Sequence, residues 1–298
     1  MASSLCISNE KLTAVCGSAT PKRASVKSFA SAMIPEGALL NGVITDERLL
    51  TLALDELREK LPKNALQDVK IALRTSLIYV KRMVVPALPQ KKMLDWVSGA
   101  FSGVADNEEL YYDYMFLERD SATGGHVALL GAAQKSMIAG LAKYFEAQNM
   151  SISSIDTTLS AQIKLMRLLD ETRESTFILL VMDGVGMDAA LFTGGSFRSN
   201  SSVRLFAERG TPESAAEISR QVSSIIQFNA AERSGQRITH VYIAGLRPGE
   251  ERLFETLKAA YGLEACPLPD ESDCVDSPPD SKLPLTEYVN AVGNLIDL

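Results

Sequence analysis

His126 and His240 are the only histidines in 298 residues, and each stands before an apolar run that reads as a strand. A Ser-His-Asp triad or a histidine-rich zinc centre has almost nothing to be built from. Cysteine is sparse as well. Cys6, Cys16, Cys266 and Cys274 show no C-x-x-C spacing and no nearby histidine, so they read as reduced thiols rather than a disulfide framework or a metal site. The longest apolar run, 177–182, is far too short to span a bilayer. The opening MASSLCISNEKLTAVCGS has no charged lead before a long apolar core, so no signal peptide is expected. Basic charge does not predominate, since 30 Lys and Arg face 37 Asp and Glu for a net charge of −7. Phosphate surfaces need clustered cations, which argues against a nucleic-acid partner. Lys91-Lys92 and Pro21-Lys22-Arg23 read as solvated faces. The expectation is a soluble, cytoplasmic chain that meets a membrane only through a partner.

What is present is a hydrophobic fraction of 46% on a chain long enough for two compact lobes. The start reads as strand, turn and strand over 5–8, Asn9-Glu10-Lys11 and 12–16. Thr45 or Asp46 caps a helix to about Leu61, with Leu50, Leu54, Leu57 and Leu61 on one face. VKIALRTSLIYVKRMVVPALP reads as a strand pair around the corner Arg74-Thr75-Ser76. A helix after Pro89, strands YYDYMFLERD and GHVALLGAAQ, a helix over 134–148 and a closing strand MSISSID then form a small α/β module. The second half brings a helix near 159–169, a hairpin, a third strand at 202–207 and a long helix capped by Thr211 with Pro212 in its first turn. A strand in THVYIAGLRPG, a helix over 250–261, a loop over 267–284 rich in Pro, Asp and Ser, and a last amphipathic helix complete the chain.

Two stretches could carry chemistry. In TFILLVMDGVGMDAALFTGG, residues 176–195, an apolar run ends on Asp183 and turns through Gly184 and Gly186. Glycines let backbone N–H groups cradle phosphate oxygens, and the carboxylate can hold Mg²⁺ through water. The plainer reading is a tight turn in which Asp183 bonds its own backbone. In YIAGLRPGEERLFETL a strand ends at Gly245, and Leu246 and Arg247 lead towards a helix, the place where ligands meet α/β sheets. Here too the residues could simply turn the chain.

These pieces, in this order, resemble an actin-like fold, and more narrowly the PilM family of type IV pilus assembly, itself similar to FtsA. The resemblance covers nearly everything from Asn41 onward. It rests on NGVITDERLLTLALDEL, VKRMVVPALPQKKMLDWV, YYDYMFLER followed by VALLGAAQKSMIAGLAKYFEAQNMSISSID, the 176–195 hairpin, THVYIAGLRPGEERLFETLKAAYGLEA and the terminal YVNAVGNLI. It implies an α/β, ribonuclease H-like fold of two lobes about a nucleotide cleft with an inserted small subdomain. Residues 1–83 would begin lobe 1, 84–156 would be the insert, and 157–298 would form lobe 2, with the C-terminal helix returning to lobe 1. Asp183, Gly184 and Gly186 would form the second phosphate loop, Gly245, Leu246 and Arg247 would lie by an adenosine, and Asp183 would hold Mg²⁺ if ATP binds. The implied partner is the cytoplasmic N-terminal tail of a bitopic inner-membrane protein like PilN, and self-association is common among actin-like chains.

The chain also departs from the actin-like pattern. Cys6 and Ser8 stand where the first phosphate loop would have an acid and a glycine, Met187 stands where a threonine is often found, and Gly245 is single where a pair is usual. Phosphoryl transfer is mainly positioning and charge neutralisation, so the loss of one clamping loop undercuts catalysis. The expectation is therefore an adaptor of a pilus or related secretion machine with a degenerate nucleotide site and no assigned catalytic residue. The alternative is an active Mg-ATP-dependent actin-like ATPase.

Overall fold

The computed structural model describes residues 2–8, 10–104, 109–232, 235–269, 272–278 and 280–297. Its organisation is a pattern used twice. In the first lobe β1 (Ala2–Ile7), β2 (Lys11–Thr20) and β3 (Arg23–Met33) form an antiparallel meander. After a small hairpin of β4 (Leu39–Leu40) and β5 (Val43–Ile44) comes helix α1 (Glu47–Glu59), and then β6 (Asp68–Leu73) returns parallel to β1. Asp46 starts α1 by accepting hydrogen bonds from the Arg48 and Leu49 amides at 2.9 and 3.2 Å.

The chain then leaves this sheet. β7 (Ile78–Val85), α2 (Gln90–Ala100), β8 (Leu110–Arg119) and β9 (His126–Gln134) make a separate sheet of order β7-β9-β8 with its own core of Val85, Met93, Val97 and Phe101. Helix α3 (Lys135–Ala147) leads back, and β10 (Ser151–Thr157) pairs parallel to β6. Two expectations are corrected. The segments flanking Arg74 do not pair with each other, because β6 and β7 belong to different sheets, and the strand expected to close the small module closes the large sheet instead. Its partly apolar face packs Ile152 and Ile155 on the α1 and α3 side of that sheet.

The second lobe repeats the plan after helix α4 (Thr158–Leu168). β11 (Phe177–Asp183), β12 (Gly186–Thr193) and β13 (Ser196–Arg204) form the meander, α5 (Pro212–Ala231) crosses over, and β14 (His240–Ala244) lies parallel to β11. Helix α6 (Arg252–Tyr261) precedes β15 (Glu264–Pro267), parallel to β14. Both sheets therefore share one strand order, β3-β2-β1-β6-β10 and β13-β12-β11-β14-β15, with the first extended at its edge by β16 (Val275–Asp276). The chain ends in α7 (Leu285–Leu295).

Alternation along the strands sets the layers. Leu5 and Ile7 face outward onto α1 and α3, with Leu50, Leu54, Leu141 and Phe145. Ile178 and Leu180 face outward onto α5 and α6, with Ile218, Val222 and Leu257. Cys6, Phe177 and Leu179 face inward onto α4 and α7, which carry Leu165, Leu168, Val289 and Val292. β11 is buried on both faces, so it reads as an unbroken apolar run. α4 and α7 cross so closely that a side chain at Gly293 would stand 2.0 Å from the Ala161 carbonyl oxygen.

Three further expectations shift. The third strand of the second meander occupies Ser196–Arg204 rather than 202–207, leaving Phe206 exposed off the sheet. β3 begins at Arg23, in the cluster read as a solvated face, and Arg23 donates to Asp276 at 2.7 Å. That contact, and the pairing of β16 with β3, anchor part of the stretch read as a loop over 267–284. Among the described residues no helix is long and apolar enough to cross a membrane.

Candidate functional site

Parallel neighbours end side by side, and this brings the two stretches singled out in the sequence together. β11 and β14 are adjacent, with Val181 opposite Ala244, so the Asp183 turn and the Gly245 turn emerge at the same edge. Gly245 has φ +72°, and a Cβ there would lie 2.2 Å from the Met182 carbonyl oxygen. The close approach of the two turns requires glycine at that position.

Opposite this edge stands the turn between β1 and β2. Ser8 Oγ accepts from the amides of Glu10 and Lys11 at 3.3 and 3.1 Å and holds the turn tight. Asn9 lies outside the described residues.

The hairpin glycines admit side chains from the other lobe. A Cβ on Gly184 would meet the Glu10 carboxylate at 2.0 Å, and one on Gly186 would meet the Arg74 guanidinium at 2.7 Å. Arg74, just past β6, donates through Nε and Nη2 to the two carboxylate oxygens of Asp188 at 3.2 and 3.1 Å. It also lies 3.7 Å from Asp183. Glu10 accepts from Arg247 at 3.4 Å, a second ion pair spanning the lobes. Arg74, Asp183 and Asp188 are each less than one fifth exposed. Burial pushes the Asp183 carboxyl above its ordinary range, against the pull of Arg74 and a hydrogen bond from Ser8. Burial also pushes the neighbouring Cys6 thiol up to about 12, and the Asp183 charge adds to that effect.

Arg209 joins the two turns of the second lobe. It donates to the Gly184 carbonyl at 3.1 Å, to the Gly245 carbonyl at 2.9 Å and to both oxygens of Glu250. Glu250 also accepts from the Arg247 amide at 2.6 Å. Burial alone would raise the Glu250 carboxyl, but these hydrogen bonds and the Arg209 charge hold it below its ordinary value. Behind this pair lies a pocket of about 370 Å³ between the start of α5 and α6, walled by Met182, Pro212, Ala215, Leu246 and Leu253.

Asp183, Gly184, Gly186, Gly245, Leu246 and Arg247 are thus gathered at one cleft. Glu10, Arg74, Asp188, Arg209 and Glu250 complete it and were not singled out in the sequence. A charge inside the apolar strand GMDAALFT was the available signal for Asp188.

Two three-stranded meanders, each continued by two parallel strands and facing each other across paired helices, define an actin-like two-lobed α/β fold with a small inserted subdomain. The similar solved structures agree. One is the "PilM-PilN type IV pilus biogenesis complex", with a TM-score of 0.79 at 19% identity over 99% of this chain and 97% of that one. A Bacteroides thetaiotaomicron protein of actin-like ATPase fold and unknown function gives a TM-score of 0.53 at 11% identity over 99% and 95%. The cytoplasmic domain of EpsL, an inner membrane component of the Vibrio cholerae type II secretion system, gives 0.51 at 10% over 98% and 94%. No family model matches the chain, and no curated protein matches it in sequence.

Proposed function

We propose that this chain is a cytoplasmic adaptor of a type IV pilus or related secretion machine, with an actin-like nucleotide site that no longer turns over. The reading rests on one observation. Where two turns would grip a metal-bound phosphate chain, the lobes instead grip each other through Arg74 to Asp188 and Arg247 to Glu10. A magnesium triphosphate does not fit these residues. The carboxylates that would hold the metal are neutralised by a guanidinium, and the space at both hairpin glycines is filled. The likeness to PilM in a PilM–PilN complex supplies the partner class: the short cytoplasmic N-terminal tail of a bitopic membrane protein, through which the chain would reach the inner face of the membrane.

In this proposal the lobes are built on the two large sheets, α7 returns to the first, and the insert is drawn from 84–156 to roughly β7–β9. The tail would dock near that insert and the first lobe. The edge strands β7 and β8 offer backbone hydrogen bonds, and Met83, Val84, Tyr111 and Phe116 are exposed beside them. The test is calorimetric titration of the full chain with the tail peptide of a genomically adjacent, single-span membrane protein. Saturable binding is expected, and no binding by folded protein refutes the adaptor.

A second reading, an active ATPase, draws on the contiguity of the Asp183 turn with the pocket. It requires Mg-dependent phosphate release that Asp183→Ala abolishes.

A further inference from the structure

At the opposite end of β6 from Arg74, the first lobe holds a second cavity, of about 310 Å³. The six residues of β6 put about 20 Å between it and the cleft. Three segments wall it: the last turn of α1 at Arg58, the connection 61–67 into β6, and the turn 148–150 between α3 and β10. Asn64 and Asn149 turn the two connections at φ +64° and +57°, the left-handed region that asparagine tolerates. The floor is apolar, with Leu61, Leu66 and Met150 buried in it. Its size lies at the small end of the range for small-molecule sites.

The charge around this cavity runs against that of the chain. There are 37 acidic residues in the sequence, yet none of those lining the cavity is acidic. Glu59, Asp68 and Glu146 adjoin the walls in sequence without lining it. Two cations do line it. Arg58 is committed, donating to Asp55 at 3.0 Å and to the Gln148 carbonyl at 2.6 Å. Lys63 is exposed and has no bonded partner among the described residues. The exposed carboxamides of Asn64, Gln67 and Asn149 add neutral donors at the rim. An anion here does not face a bare helix end, because the carbonyls of Tyr144, Phe145 and Glu146 already accept from the amides of residues 148–150.

We infer that this cavity is a binding site for a single carboxylate carried on an apolar body, with Lys63 holding the carboxylate and Leu61, Leu66 and Met150 receiving the apolar part. One uncommitted cation matches one negative charge. A phosphate monoester brings a second charge with no second free cation to meet it, and an inorganic anion leaves the apolar floor unused. An amine meets Lys63 and Arg58, both of its own sign. The carboxylate can belong to a free organic acid or to the C-terminus of another chain that ends in an apolar residue, and the recognising chemistry is the same. The inference is independent of the adaptor reading, since no residue of the Asp183–Gly245 cleft or of the β7–β9 insert lines the cavity.

The experiment titrates the isotope-labelled full chain with hexanoate, with acetyl-Gly-Leu-Leu as its free acid, with the same peptide as its amide, and with inorganic phosphate. Backbone amide shifts locate the binding and calorimetry measures it. The carboxylates are expected to move residues 61–67 and 148–150 and to leave the two cleft turns unmoved. The peptide amide is expected to bind about threefold or more weakly than the acid, and phosphate is expected not to compete. Lys63→Gln is expected to melt with the native chain and to lose about threefold or more for the carboxylates, with the amide unchanged. Tighter binding of hexanoate assigns a free acid as the source, and tighter binding of the peptide acid assigns a chain terminus. Any of four results overturns the inference: an amide that binds as well as the acid, phosphate that displaces the carboxylate, acid binding that folded Lys63→Gln retains in full, or no carboxylate that moves these residues.

Discussion

Arg74 and Asp188 meet across the cleft by two parallel hydrogen bonds of 3.2 and 3.1 Å, joining a residue just past β6 of one sheet to the middle of the other sheet's hairpin. Planar guanidinium and planar carboxylate match in this geometry, which makes it a directional tie rather than a diffuse attraction. Replacing Arg74 by Met leaves Asp183 and Asp188 facing each other in a largely dry site. A loss of about 3 kcal/mol in urea unfolding is expected. Adding Asp188→Asn to Arg74→Met is expected to recover part of it, and equal losses in the single and double variants would count against the tie.

Asp183 and Glu250 give stability profiles of opposite slope. Folding raises the Asp183 pKa. Its contribution is therefore full below the ordinary aspartate value of 3.8 and is lost as pH rises through the raised value. Asp183→Asn is expected to raise the unfolding midpoint at neutral pH, with the gain shrinking as pH falls towards 3.8. Folding lowers the Glu250 pKa, so its contribution is present above 4.5 and fades as pH falls through the lowered value. Glu250→Gln is expected to cost stability at neutral pH and progressively less below 4.5. Chemical denaturation across pH 3 to 8 decides both, and parallel curves for the two variants would contradict the assignments.

Gly184 and Glu10 are coupled through space. Gly184→Ala forces the Glu10 carboxylate aside and places a side chain at φ +57°. A destabilisation of about 1–2 kcal/mol is expected from the backbone alone. In the Glu10→Ala background the steric part disappears, so a double-mutant cycle is expected to show an interaction of about 0.5 kcal/mol or more. Strict additivity would place Glu10 elsewhere in solution.

Arg209→Met removes the donor of the Gly184 and Gly245 carbonyls and leaves Glu250 buried without the guanidinium it is paired to, holding only the Arg247 amide. A cost of about 3–5 kcal/mol is expected, measured by thermal unfolding. Faster hydrogen exchange should concentrate in the 183–186 and 245–250 turns. Uniform acceleration across both lobes would argue against a local clasp.

Much of this fold is legible in the residues because its elements announce themselves locally. Asp46 before a leucine-striped helix, Thr211-Pro212 before another, and the apolar run into Asp183 all give start, period and stop. β3 is harder. It carries Val26, Phe29 and Met33, but the rest of RASVKSFASAM is mostly small or polar residues whose contrast with water is slight, and its pairing with β16 joins segments about 250 positions apart. The cleft was only half legible for the same reason. Asp183 and Gly245 sit on nearby strands of one sheet, whereas Arg74 with Asp188 and Glu10 with Arg247 are partners that only the completed fold makes neighbours. Turn composition marked Glu10 and Arg74 only as parts of polar turns, and nothing local distinguishes a corner that faces water from one that faces another lobe.

Helix α7 has a consequence for biosynthesis. It lies against β1, β2 and α4, yet the whole second-lobe sheet separates it from them in chain order. The nascent first lobe must therefore leave the ribosome with an oily flank uncovered, and it is completed only once α7 has been made and Gly293 can pack against Ala161. Chaperone engagement during translation and poor tolerance of any deletion that removes α7 follow from that order of events.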